Sequence, residues 1–112
     1  MQCFCEEEVF YLKVEGDTGA DAVWCDECGS NLDIADVPAS DELKFGLTGW
    51  VRMYGNWMDW EQDLLLAGGV EKEEAHNEQG EILARRLQEE LTGYRVRFSP
   101  SSSAKMYAGF IS

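Results

Sequence analysis

The sequence predicts an α+β fold: an N-terminal β-hairpin stapled by four cysteines, packed with two helices and a late β-strand. Three observations predict it. Aromatic and β-branched residues flank a Gly- and Asp-rich turn before residue 39. Apolar positions then recur at three- to four-residue spacing between residues 40 and 91, and Tyr94 to Phe98 alternates in polarity. At 112 residues the chain has length for a single domain, 1–112, with one modest core. Within it, 1–38 is the four-cysteine hairpin, 40–98 the helical part with the late strand, and 99–112 a loop or tail.

The hairpin begins with "EVFYLKV", Glu8 to Val14, continues through the turn-rich "EGDTGAD" and returns along the short "AVW". Ser40 is placed to cap a helix with acids in its first turn, and Leu43, Leu47, Trp50, Val51 and Tyr54 mark one face of it. Gly46 and Gly49 weaken that helix by roughly 1 kcal/mol each relative to Ala, and Gly55 is a natural stop. A second helix runs from about Val70 to Leu91, with Leu83, Leu87 and Leu91 four residues apart and Gly93 where a C-cap belongs. "YRVRF" is the late strand and "SPSSSAK" a loop.

The cysteines form two pairs, Cys3-x-Cys5 and Cys25-x-x-Cys28-Gly29. Residues i and i+2 of a strand face the same way, so Cys3 and Cys5 can aim at one point, and the hairpin returns Cys25 and Cys28 beside them. Four thiolates suit a closed tetrahedral zinc site, structural rather than catalytic because no ligand position stays open. A glycine after the second pair lets the backbone turn its N–H groups toward the sulfurs. Over this first third the chain resembles the zinc-ribbon family, whose knuckles commonly read C-x-x-C-G, although its first pair is C-x-C. The resemblance implies structural zinc held by Cys3, Cys5, Cys25 and Cys28.

"WCDEC" is also similar to the redox pair of thioredoxin-like enzymes, which makes a thiol-disulfide oxidoreductase using Cys25 and Cys28 an alternative. That pair follows a buried strand and opens a helix, whereas here a loop precedes it and "GSNLDIADVP" is a poor helix start. Asp26 and Glu27 would also disfavour a thiolate by like charge. "DTGAD", Asp17 to Asp21, resembles the catalytic motif of aspartic proteases, but Asp17 follows Glu15 and Gly16 in a polar turn and reads as an ordinary hairpin loop. Glu73-x-x-His76 has the spacing of helical metal ligands, yet such sites need two motifs, and a lone histidine on a charged helix reads as solvated.

Trp50, Tyr54, Trp57 and Trp60 follow one side of a helical segment and read mainly as core, with Trp60 partly exposed. Trp57 and Trp60 are the candidate partner contacts, because tryptophan beside acids can anchor an interface. Glu6 to Glu8 and Glu71 to Glu74 read as solubilising faces.

Twenty-two acidic residues against nine basic ones give a net charge of -13 and a pI near 4.2. Such a surface repels phosphates, so nucleic acid and anionic membrane are poor partners and a basic protein a good one. The acidic N-terminus has no signal-peptide pattern, and the expected location is cytoplasmic. The main expectation is a small acidic zinc-binding protein that is not an enzyme and acts through protein contacts. An alternative is an acidic inhibitor of the immunity or antitoxin type that covers the basic site of a nuclease.

Overall fold

A computed structural model of the chain describes residues 10–62 and 64–104. In chain order the elements are β1 (Tyr11–Glu15), β2 (Val23–Cys25), one turn of 3-10 helix (Ile34–Asp36), α1 (Asp41–Arg52), β3 (Met58–Asp59), β4 (Leu64–Leu65), α2 (Gly69–Glu90) and β5 (Arg95–Ser99). This is the expected α+β architecture of two helices on a sheet.

Leu12 and Val14 share one face of β1 and are fully buried, as period-two alternation requires. β1 is the central strand of a three-stranded sheet of order β2-β1-β5. β2 pairs with it antiparallel, Leu12 opposite Cys25 and Val14 opposite Val23. β5 pairs with it parallel, from Tyr11 opposite Arg95 to Glu15 opposite Ser99. The sheet is therefore mixed, and everything between β1 and β5, β2 included, is the connection that their parallel pairing demands. A second antiparallel ladder joins β3 to β4 and spans only two residues on each side. It is too short for any periodicity to announce it.

The Ser40 hydroxyl caps α1 by accepting from the Leu43 N–H at 3.2 Å. The cap is itself held from the far end of α2, where the Glu90 carboxylate accepts from the Ser40 N–H at 2.6 Å and from its hydroxyl at 2.8 Å. Those bonds from Ser40 hold the Glu90 carboxyl below its usual range. The ends so tied make the two helices antiparallel neighbours, with Glu42 facing Arg86 at 3.7 Å. α1 ends at Arg52, short of Tyr54, and Gly55 supplies a left-handed turn at φ 83°.

α2 lies within one residue of its expected bounds. The expected cap at Gly93 is replaced by a side-chain clamp. Gln88 donates to the carbonyls of Leu91 and Tyr94 and accepts from the Val96 N–H, fixing the helix end to β5. The main core gathers Leu12, Val14, Val23 and Cys25 from the sheet with Leu43, Leu47, Trp50, Leu83 and Leu87 from the helices. A smaller cluster of Trp57, Met58 and Ala104 sits beside it. Among the described residues no helix is long and apolar enough to cross a membrane.

Candidate interaction site

The core-facing stripe of α2 continues N-terminally from Leu87, Ala84, Leu83 and Gly80 into His76 and Glu73. Both polar residues are buried, His76 8% and Glu73 0% exposed. This corrects the expectation of a solvated histidine on a charged face. Three- and four-residue spacing puts 73, 76, 80, 83 and 87 in one line, so the helix cannot bury its leucines without carrying these two inward.

Each is compensated. The His76 ring stacks on Trp50 at 4.4 Å between centroids and 11° between planes. The Trp50 indole N–H donates to the His76 carbonyl at 2.8 Å, and His76 Nε2 lies 3.0 Å from the Trp50 carbonyl. A carbonyl only accepts, so Nε2 carries the proton. Nδ1 is buried and has no hydrogen-bond partner among the described residues. Burial pushes the His76 pKa down against the opposing pull of the Trp50 carbonyl and Glu73. The neutral imidazole is the form this site holds.

Glu73 anchors the chain beyond β5. Its Oε2 accepts from the Ser101 hydroxyl at 2.7 Å, the Ser103 hydroxyl at 3.1 Å and the Ala104 N–H at 2.9 Å. Ser103 also accepts from the Trp57 indole at 3.0 Å. One turn along, Asn77 exchanges two hydrogen bonds with the Ser101 backbone. Within the serine-rich stretch, expected to be a loop or loose tail, Ser101, Ser103 and Ala104 are thus fixed to α2.

Above the Trp50–His76 stack lies a groove of about 530 Å³ between α1 and α2. Gly46, Gly49 and Trp50 line its α1 side, Ala75, His76 and Gln79 its α2 side, and Phe45, Met53, Asn56 and Lys72 its margins. Phe45 is 82% and Met53 53% exposed. Large apolar side chains that stay exposed beside a groove are the usual mark of a protein contact. Sequence reading missed this site. Its signal was Phe45, Gly49 and Met53, four residues apart on the face of α1 opposite Leu43 and Leu47.

The expected site residues fall elsewhere. Trp57 is fully buried, whereas Trp60 is 55% exposed and its indole donates to the Gly55 carbonyl at 3.0 Å. Trp50 is core. Asp17 lies in the hairpin turn, its carboxylate accepting from the Thr18 N–H at 2.8 Å. Cys25 packs inside the main core, while Cys28 is exposed on the turn that follows β2, 3.2 Å from the Ser30 hydroxyl. That turn is a β-hairpin turn, with Gly29 at φ 79° and Trp24 bridged to Asn31. Asp26 does not oppose the Cys28 thiolate as expected, because Arg97 grips its carboxylate at 2.8 and 3.1 Å. Hydrogen bonds from Ser30 instead draw the Cys28 thiol below its usual pKa.

Structural zinc on a ribbon-type knuckle is not supported. Among the described residues no group of three or more His, Cys, Asp or Glu side chains could hold a metal ion. Cys25 is buried in the apolar core, within hydrogen-bonding reach of the Cys28 sulfur, and Cys3 and Cys5 lie outside the described residues. The comparison with known families points elsewhere as well. The Serratia CdiI immunity protein-like family matches residues 11–101, from β1 through both helices to the segment held by Glu73. That span replaces the zinc-ribbon resemblance, and with it the zinc cofactor. No curated protein matches the chain.

Proposed function

The chain belongs to the Serratia CdiI immunity protein-like family, and from that premise we propose that it is an immunity protein, which binds a toxin and holds it inactive. The observation that carries this is the match over residues 11–101 in a chain whose net charge is -13. An immunity protein must find its toxin quickly, before the toxin acts. A surface with such an excess of carboxylates steers a basic partner into encounter and raises the association rate. The favoured partner is therefore a positively charged toxin domain, such as a nuclease whose substrate is itself a polyanion. The chain's part is non-catalytic. It occupies the toxin's surface and excludes the substrate, and its place of action is the cytoplasm of the cell that it protects.

The test is growth rescue. Each toxin domain encoded in the source genome is expressed from an inducible promoter in a host with or without this chain. Survival restored by the chain against one toxin, and not against the others, is the expected result. Failure to protect against any of them would refute the proposal.

A further inference from the structure

Gly49 stands near the middle of α1, where only proline is a poorer choice than glycine. Nothing in the fold asks for it. A Cβ placed on Gly49 would meet no atom within 4 Å. Gly80 is the instructive contrast, since a Cβ there would lie 2.5 Å from the Phe98 ring and 2.6 Å from the Trp50 ring. Close packing accounts for Gly80. It does not account for Gly49, whose effect is to keep the groove open between Phe45 and Met53, one turn to either side.

We infer that the α1/α2 groove is the surface on which the toxin docks, a role that rests on the immunity reading, and that its occupant is an apolar side chain carried on a positively charged segment of the toxin. The groove has the anatomy of an interface centre. Phe45 and Met53 present exposed apolar surface, and the floor between them is the Trp50–His76 stack, fixed by its two reciprocal hydrogen bonds. A rigid floor loses little freedom when an anchor side chain enters it. The rim carries both signs: Lys72 lines the groove with exposed Glu71 and Glu78 at its flank, and Lys44 and Arg52 border Phe45 and Gly49 on α1. The basic character of the occupant follows from the chain's net charge of -13, which steers an apolar anchor flanked by Lys or Arg toward the molecule. A second copy of this chain, itself at -13, would be repelled from it.

The test uses the full chain and, as probe, the purified toxin domain against which it protects in the growth assay. Gly49→Gln fills the groove with a residue that favours helix, so its fold is safe, and Met53→Asp removes apolar margin. Each should weaken toxin binding roughly tenfold or more, while Thr92→Gln, exposed beyond α2, leaves it unchanged. The melting temperature of Gly49→Gln should equal or exceed that of the parent. Parent-like affinity of Gly49→Gln would overturn the docking inference and leave the immunity function standing. A parent dimer that Gly49→Gln dissociates in sedimentation would overturn it too, by giving the groove to a second copy. If the chain protects against no toxin, the inference falls together with the function.

Discussion

The Trp50 indole donates to the His76 carbonyl at 2.8 Å, and the His76 ring returns a hydrogen bond to the Trp50 carbonyl at 3.0 Å, so the two stacked residues satisfy each other across α1 and α2. This pair is at once the lateral join between the helices and the floor of the groove. Its state sets the shape of the surface proposed to meet a partner.

The first prediction concerns pH. Burial holds the folded-state pKa of His76 below the unfolded value of about 6.5. Between those two values the unfolded chain binds more protons than the folded one, so stability rises with pH across the window. Its contribution is complete above about pH 6.5 and is lost as pH falls toward the folded value. Urea unfolding midpoints should therefore fall between about pH 7.5 and pH 5.5, above the range in which Asp and Glu titrate. In His76→Gln the slope over that window should flatten. An unchanged slope would show that another group titrates there.

Glu73 should behave as a latch. Glu73→Ala leaves the Ser101 and Ser103 hydroxyls and the Ala104 N–H without their common acceptor. The cost should be about 3 kcal/mol, the scale for stranding buried donors. The loss should be local as well as global, with the Ala104 amide exchanging much faster while amides of β1 keep their relative protection. Glu73→Gln, which retains one acceptor oxygen, should fall between the parent and Glu73→Ala.

Two glycines on facing helices should respond oppositely to the same change. Gly49→Ala adds a methyl group to open space, and α1 should gain up to about 1 kcal/mol from better helix propensity. Gly80→Ala drives that methyl into the rings of Phe98 and Trp50, and overpacking should cost about 1–3 kcal/mol in spite of the same propensity gain. Chemical denaturation of the two variants checks this directly. A matching sign at both positions would contradict the packing described.

Much of this fold was legible because it is local. Ser40 announces the start of α1, the leucine spacing of α2 gives its bounds to within one residue, and Leu12 with Val14 alternates into the core. What was hidden depends on partners distant in sequence. No local pattern says that Tyr11 pairs with Arg95 in parallel, or that Glu73 is buried because serines near position 101 return to it. Polar residues on a core face look solvated until their partners are known. The cysteine spacing misled for a related reason. C-x-x-C-G suits a tight hairpin turn as well as it suits a metal knuckle, and in this turn Cys25 serves as apolar core. The excess of carboxylates put an inhibitor of the immunity type among the alternatives, in line with the family to which the chain belongs, but charge alone marks no face of the molecule.

The central claim, that this acidic chain neutralises a toxin by binding it, is tested most directly by titrating the purified chain into its toxin domain and following toxin activity and complex formation together. The account predicts loss of activity in step with a one-to-one complex, with an association rate that falls steeply as salt is raised past physiological strength, where the Debye length is about 8 Å. A toxin that stays fully active with the chain bound, or a complex that forms equally fast at low and high salt, would contradict it.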